Sequence, residues 1–390
     1  MTSISHRGIR TWIEIDKKAL ANNYIIFRKL IPKKSKLMAV AKSNAYGHGL
    51  IDYSKEMERL GADFIGVDSM TEAIALRRKK IKIPILVLGY TLPELYVDAA
   101  KNDISITISS KEQLENVDCF LSYQDSGSQT TVQNDSKKLK IHIKVDTGMH
   151  RQGFYLENLK DIKAIKTFEQ VEIEGLYTHF ASAKNPDFTV DTVKQITEFK
   201  TACKILEAAD IHPVRHAVAT GGAIVFPEAH FDMVRIGIGL MGLWPSKEAK
   251  NNFQDKIMLR SALSWRSIVS EIKRIKKGER IGYDFTETFF VDSTIAIIPI
   301  GYWHGLRRNL SSVGEVLING CRAKILGRIS MDMIAVDITK VKNVKVGSVT
   351  TVIGKDGTKE VTAEEMASLS DTSWYETITS LNPLIKRIYL

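Results

Sequence analysis

Lys42 is the residue of this chain with the most chemical potential, set in Val40–Gly49 (Val-Ala-Lys-Ser-Asn-Ala-Tyr-Gly-His-Gly). The apolar run Leu37–Ala41 before it reads as a buried strand. A lysine just past such a strand is partly desolvated, which lowers its pKa and leaves more free amine to form a Schiff base or carry a proton. Gly47 and Gly49 let the backbone turn sharply into a following helix, whose amide end suits an anion. An ordinary strand–turn–helix junction with a solvated lysine fits the same ten residues, so the decision lies elsewhere in the chain.

More candidates stand where other apolar runs end. Lys144 closes one run and is followed by Asp146-Thr147-Gly148-Met149-His150-Arg151; His179 and His216 close two more; Arg235 closes the last, before Gly237-Ile238-Gly239. If these runs are the strands of one barrel, the residues converge on its C-terminal rim, where barrel chemistry collects. The product is a cationic bowl suited to a phosphorylated, carboxylate-bearing ligand. Gly237-x-Gly239-x-x-Gly242 is formally a dinucleotide fingerprint, but a Rossmann unit places it after the first strand with an acid about 20 residues on. Here it closes a long alternation, and phosphate capture by the amides of Gly237 and Ile238 fits better. Pro213 between His212 and His216 argues against a helical metal pair, and no metal is expected. Core packing for His179, and a simple pair with Asp146 for Lys144, remain open.

These residues need a scaffold. Helical periods alternate with apolar runs at Leu37–Ala41, Phe64–Val67, Ile85–Leu88, Ile104–Ile108, Lys140–Val145, Val171–Leu176, Val214–Ala217 and Met233–Arg235. That is the count and length of a (β/α)8 barrel, over residues 1–244. In Asp191–Ala209, Ile196, Phe199, Cys203 and Leu206 share one face; another helix is expected over Asp161–Phe168. Ser122–Lys138, rich in Ser, Gln, Asn and Asp, reads as a surface insertion. Beyond a joint at Trp244–Asn252, short β runs and the hairpin signals Asn319-Gly320 and Asp356-Gly357 give a mostly-β domain over residues 245–390.

Composition narrows the class. The 390 residues are 44% apolar and 26% charged, a globular balance. Cys119, Cys203 and Cys321 are far apart, which suggests a reducing compartment. The N-terminus has no apolar signal core and no run reaches membrane-spanning length, so a cytoplasmic location is expected. The net charge of +10 is scattered in clusters such as Arg77–Lys80 and Lys273–Lys277, without a nucleic-acid motif. It implies no nucleic-acid partner, only a general attraction for anions.

The stretch around Lys42 resembles the cofactor-lysine motif of bacterial alanine racemases, and the likeness runs from Thr11–Asp16 to the region of Tyr375-Glu376. The resemblance implies a pyridoxal-phosphate enzyme interconverting L- and D-alanine, supplying D-alanine for peptidoglycan. Lys42 would hold pyridoxal phosphate and act as one base; Tyr283 would be the other. Tyr46, Thr220, Gly237 and Ile238 would take the phosphate. Arg235, supported by His216, would face the ring nitrogen; Arg151 would bond the phenolic oxygen, oriented by a carbamylated Lys144. A tyrosine base needs a cationic neighbour, for which His179 and the Arg235 network are candidates. Tyr302, Met331 and Tyr375 would line the entry and the substrate-carboxylate side. The resemblance further implies a homodimer in which Tyr283, Tyr302 and Met331 serve the partner's site, and an N-terminal strand near Thr11–Ile15 that pairs into the β domain. Departures from the family pattern fall at Ala219, Gly282, Asp284, Trp303, His304, Met333 and Leu384–Arg387. Those near the mouth leave room for a broader racemase acting on serine or basic amino acids. A non-catalytic pyridoxal-phosphate carrier would lack the β domain, and a decarboxylase would need a catalytic cysteine that is not evident there.

Overall fold

The computed structural model describes residues 8–117, 138–167 and 169–390. The insertion expected over Ser122–Lys138 lies, except for Lys138, outside the described residues, as does Cys119. The chain divides into two units: Lys18–Ala45 with Leu50–Ser261, and the residues up to Lys17 with Tyr46–Gly49 and Ala262–Leu390.

After a first strand, β1 (Thr11–Ile15), the barrel unit contributes β2 (Lys36–Val40), β3 (Phe64–Val67), β4 (Ile85–Val87), β5 (Ile104–Ile108), β6 (Leu139–Lys144), β7 (Val171–Tyr177), β8 (Val214–His216) and β9 (Met233–Ile236). They pair in the order β8-β7-β6-β5-β4-β3-β2-β9, all parallel. Between β8 and β9, Asp232 N–H donates to Arg215 O (3.0 Å) and Arg235 N–H to Val218 O (3.1 Å). This is the expected (β/α)8 barrel, each strand within one residue of its apolar run. Strands covered on both faces must be apolar almost throughout, which is why the runs at β2, β3 and β4 are continuous. Met38, Phe64, Leu86 and Met233 form one packed cluster.

The helix Val190–Glu207 buries Ile196, Phe199, Cys203 and Leu206, the expected face. Asp161–Phe168 differs from expectation: a 3₁₀ run spans Leu156–Thr167 instead. Leu156, Leu159, Ile162 and Ile165 recur at every third position, the period of a 3₁₀ helix rather than an α-helix. Among the described residues no helix is long and apolar enough to cross a membrane.

The second unit is mostly β. There β1 pairs antiparallel with Leu263–Ile268 and parallel with Lys386–Tyr389, burying Trp12 and Trp265. Glu315–Ile318 and Cys321–Leu326 form the expected hairpin, with Asn319 (φ 49°) and Gly320 (φ 73°) at its turn, as a primed two-residue turn requires. Val349–Asp356 and Lys359–Val361 pair around Gly357.

Candidate active site

Past the end of β2 the chain takes an unusual course. Ser43, Asn44, Ala45 and Tyr46 are all left-handed, with φ of 56°, 55°, 51° and 51°. Each such non-glycine residue costs about 1–2 kcal/mol, so four in a row persist only where neighbours hold them. Asn44 N–H donates to Glu72 Oε1 (3.3 Å), and Asn44 Oδ1 accepts from Leu50 N–H (2.9 Å). The other Glu72 oxygen accepts from Asp68 N–H (2.8 Å). Lys42 opens this turn with Nζ 3.9 Å from Asp68 Oδ1 and a side chain 41% exposed. The turn is made by four non-glycines before Gly47 is reached.

Like Lys144, Arg235, on β9, is buried. Its Nη1 donates to His216 Nδ1 (2.9 Å) and His216 O (3.1 Å); its Nη2 donates to Thr178 O (2.8 Å), Ala217 O (2.7 Å) and His179 Nδ1 (3.3 Å). Every one of these acceptors is neutral, and burial pulls the guanidinium down to about 10. Tyr177, the last residue of β7, serves as a plate beneath the cluster. It stacks on His216, and Arg235 and Lys144 lie 5.3 and 5.5 Å from its ring centre. Lys144 is the lysine with the depressed pKa, about 8, through burial first and then the charges of Arg151, Arg235 and Lys42. Its Nζ donates to Gln152 Oε1 (2.9 Å). Burial, then Arg235, Arg151, Lys144 and Lys42, hold His179 down at about 3. His179 is thus neutral at ordinary pH and is not the cation a tyrosine base needs; within that network only Arg235 carries charge.

Arg151 is exposed, on a loop organised by Asp146, whose Oδ1 accepts the N–H groups of Gly148, Met149 and His150 (2.9–3.0 Å). Gly237–Gly242 follows β9 as a tight turn in which Thr220 Oγ1 accepts from Gly237 N–H (3.2 Å) and Gly239 N–H (3.4 Å). Gly239 and Gly242 answer to packing. A Cβ on Gly239 would meet Phe27 Cζ at 2.4 Å, and one on Gly242, at φ 84°, would meet Arg260 O at 1.7 Å. Buried Asn23, which sequence reasoning passed over, donates to Leu240 O (3.1 Å) and Arg260 O (2.8 Å) and accepts from Arg260 N–H (2.9 Å).

In the second unit, Tyr46 and Tyr375 are ring neighbours at 6.4 Å, and burial raises both phenols, Tyr46 to about 12. Tyr283 is not a core residue: it is 66% exposed, as Tyr302 and Met331 also are in large part. Arg280 caps its turn by donating to Phe285 O (2.6 and 3.0 Å), and Arg328 pairs with Asp284. The altered C-terminal stretch has a clear task, since Arg387 donates to Gly47 O (3.0 Å) and to the carbonyls of Asn382 and Pro383.

A model of the alanine racemase N-terminal domain matches residues 15–245, and one of the alanine racemase C-terminal domain matches residues 262–389. The chain belongs to the alanine racemase family. The alanine racemase of Methanococcus maripaludis is 40% identical over 97% of this chain and 98% of its own, and that of Leptospira interrogans 35% over 97% and 95%. Among solved structures, the alanine racemase of Clostridium difficile 630 superposes with a TM-score of 0.90 at 32% identity, covering 98% of this chain and 96% of that one. The Bacillus anthracis alanine racemase with bound L-Ala-P gives 0.89 at 34%, covering 98% and 95%. Between the two matched domains of this family member lies Ser246, whose side chain caps the helix Lys247–Phe253 by accepting Ala249 N–H (3.0 Å).

Proposed function

We propose that this chain interconverts L- and D-alanine in the cytoplasm, using pyridoxal phosphate held at the C-terminal rim of the barrel. The observation that carries the reading is the cationic cluster of Lys42, Lys144, Arg151 and Arg235 around that rim. Arg235 and Lys144 are its buried members; Arg235 meets neutral acceptors, and Lys144 is depressed by burial and then by its cationic neighbours. Such a site fits a multiply charged phosphate ester. Gly237, Ile238 and Thr220 would hold the phosphate and Lys42 the aldehyde carbon.

When bound, the group supplies electron withdrawal from an attached amino acid, which makes its Cα–H acidic. The chain's own residues govern the rest. Arg235, still charged at ordinary pH with a pKa of about 10, would face the ring nitrogen without handing it a proton, so electron withdrawal would stay moderate and side reactions such as transamination would be restrained. Lys42 Nζ removes the proton from one face of Cα, and the phenol of Tyr283 of the partner subunit returns one to the other. Two bases on opposite faces make racemisation possible without turning the substrate over. The exposed Tyr283, Tyr302 and Met331 support this sharing across a homodimer.

Lys144 supports Arg151 best as a carbamate: its neutral amine, favoured by a pKa of about 8, adds to CO2 with release of one proton, and the anion replaces a like-charge repulsion by an attraction.

The test is a spectrum and an assay. Purified protein loaded with pyridoxal phosphate is expected to show a visible absorption band that Lys42→Ala abolishes, and to racemise alanine faster than serine or lysine. Persistence of the band in Lys42→Ala, or no racemisation of any of the three, would refute the reading.

A further inference from the structure

Buried Arg235 has its counter-charge at a distance. His216 Nε2 lies 2.9 Å from His142 Nδ1, and His142 Nε2 lies 2.9 Å from Glu174 Oε2, which also accepts from Ser105 Oγ. A guanidinium only donates and a carboxylate only accepts. The direction of every bond between them follows. Arg235 Nη1–H donates to His216 Nδ1, His216 Nε2–H to His142 Nδ1, and His142 Nε2–H to Glu174 Oε2. Both imidazoles are therefore neutral, with the proton on Nε2. Burial depresses His216 well below the usual imidazole range. At Glu174 burial works upward, but the His142 bond, Ser105 and Lys140 outweigh it and hold the carboxyl below its ordinary value.

Two local features build this relay. The pairing of β6 with β7 steps from Ile141↔Ile173 to His142↔Gly175, leaving Glu174 as the extra residue of a bulge. A bulge re-aims side chains; Glu172 is exposed, whereas the Glu174 side chain is 14% exposed. The next residue must then be glycine for want of space, because a Cβ on Gly175 would lie 2.0 Å from His142 Nδ1.

We propose that Glu174 is a positioning residue for Arg235, acting through His142 and His216 to supply both the counter-charge and the tautomers that hold the guanidinium in place. The link to catalysis rests on the proposed function, since it needs Arg235 to face the cofactor; the tautomers do not.

The experiment is 15N NMR of histidine-labelled full chain, with and without pyridoxal phosphate, assigned with His142→Gln. In wild type, His142 and His216 are each expected to be bare at Nδ1 and protonated at Nε2. Glu174→Gln keeps the shape but removes the charge, and its amide can donate as well as accept. It is expected to show a second tautomer at His142 and about a tenfold loss of kcat on alanine, with KM within about twofold and cofactor loading unchanged. Glu174→Asp is expected to restore the single tautomer and part of the rate. A proton on Nδ1 of either ring in wild type, or unchanged kcat in Glu174→Gln, overturns the proposal. If Glu174→Gln does not fold, the wild-type spectrum and Glu174→Asp still decide. An ordered relay in a chain that does not racemise alanine refutes the racemase reading alone; an active enzyme with other tautomers refutes the relay alone.

Discussion

Tyr177 lies flat against His216, the ring centroids 4.8 Å apart and the planes 8° from parallel. The same ring sits under Arg235 and Lys144, and its hydroxyl is 2.9 Å from Thr107 Oγ1. One aromatic side chain thus sets the height of three basic groups. Tyr177→Phe keeps the stack and loses the hydroxyl's hydrogen bonds with Thr107 Oγ1 and Leu88 O (3.4 Å), an expected cost of about 1–2 kcal/mol. Tyr177→Ala removes the plate and is expected to cost about 3–5 kcal/mol. Urea unfolding of both variants checks the difference.

Lys144 makes stability depend on pH in a defined window. Its folded-state pKa is about 8 against an ordinary 10.5, so between those values the unfolded chain binds more protons. Stability from this group therefore rises as pH climbs from about 8 to about 10.5. Lys144→Met is expected to flatten that rise in the unloaded protein. With 13C-bicarbonate present, wild type but not Lys144→Met is expected to show a carbamate resonance.

The left-handed turn after Lys42 is strained and held. Ser43 is exposed at φ 56°, so Ser43→Gly is expected to stabilise the chain by about 0.5–1 kcal/mol, relief of the backbone strain less the entropy of a freer unfolded chain. Glu72→Ala removes the carboxylate that takes the N–H groups of Asn44 and Asp68, and is expected to cost about 1–3 kcal/mol. Thermal melts of the two variants are expected to move in opposite directions.

Tyr283→Phe is expected to retain the cofactor and to lower racemisation by about 10²–10⁴. Mixing that variant with Lys42→Ala separates sharing from self-sufficiency. If each site takes Tyr283 from the partner subunit, re-associated mixtures contain dimers with one intact site, and activity returns. If each chain uses its own tyrosine, no combination is intact and the mixture stays inactive.

The strands β2, β3 and β4 were legible because both faces are buried, leaving near-continuous apolar text, whereas β6, β7 and β8 carry charged residues or histidines among their apolar ones. Lys144, His179, His216 and Arg235 were legible by their place at strand ends. His142 was not, because in Lys-Ile-His-Ile-Lys alternation pairs it with Lys144 without saying which face is inward. Glu174 was hidden by a one-residue slip, since strict alternation puts it beside exposed Glu172. Gly175 was the available signal, a glycine inside a strand marking a close approach. At Lys42, Asn44 alone hinted at left-handed backbone.

Arg151, Arg235 and Lys42 together outweigh Asp146 in their pull on Lys144, so a chain without its ligand keeps a store of self-repulsion in its mouth. Any polyvalent oxyanion that settles there relieves it, and the folded state gains in proportion to the logarithm of that anion's concentration. Preparations made in phosphate and in a non-coordinating buffer would then differ in robustness while sharing every covalent bond.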